Sequence, residues 1–106
     1  MTVVSNAWSV SMLQGKAKVS FEPVSLEQAR ELVKGGVVSI IGHEGTAWVF
    51  TQKLGVHLRK NRVFFKMTKD EVMLVGELNQ RLPEGKVLTA EELEEIPIRW
   101  WVVRLV

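Results

Sequence analysis

Among the residues of this chain, His43 has the clearest claim to acid–base chemistry. It follows Gly42 at the start of a helical pattern, where free backbone N–H groups and the positive end of the helix dipole favour an anion such as phosphate. An imidazole ionises near neutrality, so beside a phosphate it can serve as a general acid or base. The same spacing is met, more simply, by a histidine that caps or packs the helix. His57, in the polar connection after Gly55, reads as a surface side chain. Arg62 opens one strand-like run and Arg81 closes the next. If those runs are hairpin partners, both guanidinium groups share one edge of a sheet, where they can bind phosphate bidentately and offset charge developing on it. The turn Gln80-Arg81-Leu82-Pro83-Glu84-Gly85 could hold Arg81 and Glu84 rigidly, or be an ordinary solvated loop.

Four tryptophans offer faces for stacking a base. Trp48, Trp100 and Trp101 read as core or interface residues, whereas Trp8, among Asn6, Ser9 and Ser11, has the better claim to a ligand. Two histidines 14 residues apart and no cysteine reproduce no metal-ligand spacing, so no metal or cofactor is expected. Walker-A, GxGxxG and GxSxG motifs are absent. Any chemistry is expected to be metal-free and directed at phosphate.

The elements that must position these side chains are those of a small globular domain. A length of 106 residues fits one domain, 1–106, on a prior of about 100–200 residues each. With 46% hydrophobic and 25% charged residues, disorder and fibrous classes are excluded. Lack of cysteine, of a signal-peptide pattern and of a long apolar run predicts a cytoplasmic protein with no membrane role. The net charge is only +2, but six basic residues and no acidic one lie between Lys53 and Lys69. That asymmetry suits either an anionic ligand or a solvated face.

Thr2–Ala7 and Ala17–Phe21 read as strands, with a loop or short turn at Trp8–Leu13. Ser25 and Gln28 form a capping box for a helix whose apolar stripe, Leu26, Ala29, Leu32 and Val33, ends at Gly35-Gly36. Val37–Ile41 could be a buried strand or the entry to a helix. His43, Ala47, Phe50, Thr51 and Leu54 then follow one helical face, and Gly55 supplies a left-handed stop. Arg62–Met67 and Glu71–Gln80 read as a hairpin joined by Thr68-Lys69-Asp70. A second capping box, Thr89 with Glu92, opens a helix that Pro97 terminates, before a last strand at Ile98–Val106. The expected fold is mixed α/β, a central sheet of about five strands with about three flanking helices.

Four blocks stand in a recognisable order: Ser5-Asn6-Ala7-Trp8-Ser9-Val10-Ser11-Met12-Leu13, Ile41-Gly42-His43-Glu44-Gly45-Thr46-Ala47, Lys60-Asn61-Arg62-Val63 and Gln80-Arg81-Leu82-Pro83-Glu84-Gly85. Together they resemble the small viral ring nucleases that act as type III anti-CRISPR proteins, and their cellular relatives in CRISPR loci. The resemblance implies a homodimer with cyclic tetra-adenylate across its two-fold axis. It implies metal-independent cleavage to linear di-adenylate ending in a 2′,3′-cyclic phosphate. His43 would be the general acid, and Arg81 and Glu84 would orient and stabilise the reacting phosphate. Ser9 and Arg62 would bind ligand, with Asn6 supporting the first loop and Ser11 close enough to share the role of Ser9. Trp8 and Gly42 complete the expected ligand-binding set.

Two rival readings use the same residues. The basic run and a sequence pI of about 9.2 suit a non-enzymatic nucleic-acid-binding dimer, although the resemblance leads us to expect no duplex partner. A messenger sponge would use the pocket without chemistry.

Overall fold

Thr2–Ser5 (β1), Val37–Ser39 (β3) and Val72–Leu78 (β4) pair in parallel, with β1 between the other two, in the computed structural model, which describes residues 1–78 and 89–106. Two further strands, β2 (Val19–Val24) and β5 (Ile98–Leu105), add antiparallel, giving the order β2-β5-β4-β1-β3. A single 3₁₀ turn, Val10–Met12, and three helices among the described residues complete the fold: α1 (Leu26–Val33), α2 (Glu44–Leu54) and α3 (Ala90–Glu95). The mixed α/β sheet with its three helices is the architecture the sequence predicts.

The local signals act where they were read. Ser25 accepts a hydrogen bond from Gln28 N at 3.1 Å and Gln28 Oε1 accepts from Ser25 N at 2.9 Å, so both sides of the capping box form. The Thr89–Glu92 box is likewise closed from both sides. Gly55 ends α2 at φ 75°, a left-handed conformation that glycine adopts without Cβ strain.

All three helices cover one face of the sheet. Val4, Leu74, Trp100 and Val102 point into this layer against Ala29 and Val33 of α1 and Ala47, Phe50 and Leu54 of α2. The alternate residues Val3, Met73, Val75 and Val103 face the other way, onto Ile40, Met67, Trp8, Met12 and Phe65. Among the described residues no α-helix contributes to that second layer. It is roofed by the 3₁₀ turn and by residues 59–67, a strap without regular secondary structure.

Several expectations need correction. Arg62–Met67 is not a strand and forms no hairpin with β4, because one edge of β4 is taken by β1 and the other by β5. The Thr68–Asp70 turn does exist, held by the Glu71 carboxylate, which accepts from Thr68 N at 2.6 Å and Thr68 Oγ1 at 2.9 Å, but it joins the strap to β4. The first strand ends at Ser5 rather than Ala7, because the Ser5 hydroxyl accepts from Ala7 N at 3.2 Å and turns the chain. The second strand is shifted to Val19–Val24 and includes Pro23. Among the described residues β2 is an edge strand paired on one side, where a missing proline N–H is tolerated. The ambiguous run Val37–Ile41 is a strand over Val37–Ser39. Of the tryptophans read as core or interface residues, Trp100 is core, whereas Trp48 is 40% exposed on α2, which leaves it the interface reading.

Gly76 of β4 fixes how α2 sits. Its inner side is occupied by the Phe50 and Trp100 rings, which meet edge-on with centroids 5.0 Å apart. A Cβ at Gly76 would lie 2.5 Å from Phe50 Cζ and 2.7 Å from Trp100 Cζ3. Both rings are themselves buried, so they can retreat only by disturbing the core. Gly76→Ala should therefore lower unfolding stability by about 1–3 kcal/mol, measured by equilibrium urea denaturation. An unchanged midpoint would show that the two rings have room to move.

Candidate functional site

The carboxyl ends of the three parallel strands converge on one end of the sheet, and the candidate residues follow directly from them. Ser5 leads into Asn6–Ser11, and Ser39 leads into Gly42 and His43. β4 ends at Leu78, three residues before Arg81. In open parallel sheets ligands gather outside these strand ends, where loops from neighbouring strands form a crevice. Arg81 and Glu84 lie outside the described residues.

His43 is the N-cap of α2 by its backbone, and its carbonyl accepts from Ala47 N at 3.0 Å. Its side chain makes no cap hydrogen bond and is exposed. The imidazole therefore neither caps nor packs, and it stands free at the amide-rich end of an eleven-residue helix. Glu44 shares the first turn and the same favourable field.

Arg62 is brought to this point by the strap. Its aliphatic stem lies over Gly42, where a Cβ would come within 3.4 Å of Arg62 Cγ. The side chain is exposed and makes no ion pair or hydrogen bond among the described residues. An unpaired guanidinium thus adjoins an uncapped helix N-terminus, and both favour an anion. The hairpin expected to bring Arg62 to the edge shared with Arg81 is not formed, and the Arg62 stem packs on Gly42, the residue before His43.

The first loop supplies a second polar group. Ser9 caps the 3₁₀ turn, accepting from Ser11 N at 3.2 Å, and the two hydroxyl oxygens are 3.0 Å apart. Both serines are exposed, and since one hydroxyl donates to the other, the pair has one O–H left to donate outward. Asn6 and Trp8 instead line a groove of about 380 Å³ on the helix-free face, with Phe21, Val75, Glu77 and Trp101. Trp8 packs edge-on against Phe21 at 5.3 Å, and its indole N–H is buried with no acceptor among the described residues. His57 is exposed, as expected.

Sequence reasoning gave no role to Asn61 or Lys66. Asn61 donates from Nδ2 to Ser39 O at 2.8 Å and from its backbone N to Ile41 O at 2.8 Å. Lys66 donates from Nζ to Ser11 O at 2.6 Å. Asn61 sat inside a block already singled out, but reading 62–67 as a strand directed attention to alternating faces rather than to side-chain bonds with a neighbouring loop. Among the described residues, no cluster of three or more His, Cys, Asp or Glu could hold a metal, and no helix is long and apolar enough to cross a membrane.

The sequence profile of a family described as STIV B116-like matches residues 2–100. Uncharacterized protein 26 of Sulfolobus islandicus filamentous virus is 32% identical over 100% of this chain and 92% of its own length. Uncharacterized protein ORF117 of Acidianus two-tailed virus is 33% identical over 95% and 90% respectively. Uncharacterized protein YddF of Bacillus subtilis is 28% identical over 77% and 79%. Among solved structures, B116 of Sulfolobus turreted icosahedral virus superposes with a TM-score of 0.84 at 29% identity, covering 97% of both chains.

Because the His43 side chain is exposed and makes no cap bond, its removal should not weaken the fold. His43→Ala is expected to change unfolding free energy by less than about 0.5 kcal/mol. A larger loss in urea titration would mean that the imidazole holds α2 in place.

Proposed function

This chain belongs to the STIV B116-like family, and from that premise we propose that it is a ring nuclease that opens cyclic tetra-adenylate without a metal or cofactor. The observation that carries the reading is the free His43 imidazole at the start of α2, beside an unpaired Arg62 packed on Gly42. A general acid must be able to reach a leaving oxygen, and a histidine used for capping or packing could not. The order of the four blocks and their likeness to viral ring nucleases name the substrate.

In the proposed reaction a ribose 2′-hydroxyl gives up its proton to solvent, its oxygen attacks the adjacent phosphorus in line, and the bond to the 5′-oxygen breaks. The products at that position are a 2′,3′-cyclic phosphate and a 5′-hydroxyl, whose proton comes from His43. Attack within one nucleotide is intramolecular, so the protein mainly holds a near-attack geometry. Arg62 and the Ser9 hydroxyl bind the anionic ring, with Ser11 and Gly42 beside them, while Asn6 and Trp8 would meet it from the groove on the helix-free face. Arg81 and Glu84 orient the reacting phosphate, and the arginine compensates its growing charge. Two such cleavages convert one ring into two linear di-adenylates. Such an activity removes a messenger of type III CRISPR defence, whether as an anti-CRISPR or as a cellular off-switch.

The ring has its own two-fold symmetry, and a homodimer would present each half with the same residues. Val38 on edge strand β3, Trp48 of α2, and Val63 and Phe64 of the strap are all exposed apolar residues, Phe64 by 80%. They are the surface we assign to the second copy. Light scattering should give twice the 12.0 kDa chain mass, and a lone 12.0 kDa species with and without the ring would remove the two-fold site.

The decisive measurement is product analysis with cyclic tetra-adenylate in excess chelator. Linear di-adenylate with a 2′,3′-cyclic phosphate is expected, and His43→Ala should lose about 10²–10⁴-fold in rate while still binding the ring. Strict magnesium or manganese dependence with 5′-phosphate ends would overturn the mechanism. Binding of the ring without any product would favour the messenger-sponge reading, and binding of duplex nucleic acid that is lost steeply as salt rises would favour the nucleic-acid-binding one.

A further inference from the structure

The strap is fastened at two points, and each fastening is made to a different loop of the site. At its start, Ser39 Oγ donates to Arg59 O at 2.7 Å, and Asn61 clasps both Ser39 O and Ile41 O. These bonds fix the Gly42–His43 loop against the strap and place Arg62 on Gly42. At its far end, Lys66 Nζ binds Ser11 O, and Met67 N donates to Met12 O at 2.8 Å. These bonds fix the Ser9–Ser11 loop. Between the clasps the chain has no ladder partner, and Phe65 and Met67 merely pack on the helix-free face.

We infer that Asn61 and Lys66 are positioning residues, Asn61 for the acid-bearing loop and Lys66 for the ligand-binding loop. The inference rests on the ring-nuclease reading and assigns to residues outside the reacting set the control of two separable steps. Neither side chain need touch the ring. Asn61 holds the distance between an arginine and a histidine that must meet the same phosphate, so its loss misaligns the proton donor. Lys66 closes over the carbonyl end of the 3₁₀ turn, so its loss loosens Ser9, and the ligand must then order that loop on binding.

Steady-state cleavage of cyclic tetra-adenylate by the full chain, well below its unfolding temperature, separates the two roles. Asn61→Asp keeps the size and backbone bond of Asn61 but removes the Nδ2 donor, and kcat should fall on the order of 10- to 100-fold. Lys66→Ala should raise KM by about tenfold with kcat within about twofold, and Lys66→Arg, which restores a cationic donor, should bring KM back. Each kcat is taken per folded chain, so a merely structural role would lower the folded fraction in urea titration and leave both kcat and KM unchanged. If the wild-type chain cleaves the ring and all three variants match it within about twofold in kcat and KM, the positioning roles are wrong while the function stands. If the wild-type chain does not cleave the ring, the function fails and this assignment fails with it.

Discussion

The structure depends on a missing side chain in the fourth strand. At Gly76 the sheet leaves space for the Phe50 ring to reach Trp100 across it, a contact that joins α2, β4 and β5 in one buried cluster. Aromatic pairs of this kind contribute about 0.5–1.5 kcal/mol beyond their buried area. Their greater effect here is geometric. α2 is held along its length, by Thr46 and Ala47 in its first turn as well as by Phe50 and Leu54, all of them buried. His43, the residue that caps this anchored turn, is therefore placed by the packing of its own helix.

The other face of the sheet is organised differently. Helices cover the first face by apolar contact alone, whereas the second is closed by segments without regular structure that satisfy their backbone groups through Asn61, Ser39, Lys66 and Gln14. Irregular segments can cross a sheet only when such partners are available, because buried amides without them are costly. The polar side chains that make this roof possible are also those that hold the candidate site together.

What could be read in the sequence divides along the range of the interactions. Both capping boxes, the Gly55 stop and the stripe of α1 depend on residues within four positions of each other, and each formed as read. The hairpin failed because strand pairing is decided across the chain: β4 is claimed by residues 2–5 and 98–105, and nothing within Arg62–Met67 reveals that its natural partner is already occupied. At the site, His43 was legible as a titratable group at a helix start, and the structure gives it that position, whereas the place of Ser9 as cap of a 3₁₀ turn had no signal in the spacing. The proximity of Arg62 to Gly42 came from the strap, not from a strand, and the Asn61 amide carries no periodic signal at all.

The strand order also governs when the protein can fold. β5, which follows every other described strand in the sequence, is the one neighbour of β2 among the described residues and one of the two neighbours of β4. A nascent chain on the ribosome can form α1 and bring β1 beside β3, yet β2 lacks this partner until the eight-residue β5 emerges. Closing such distant pairs slows folding more than it weakens the folded state. During that wait Glu22 and Pro23 make β2 a poor template for pairing with another chain, so the composition of this strand protects the unfinished polypeptide from aggregation.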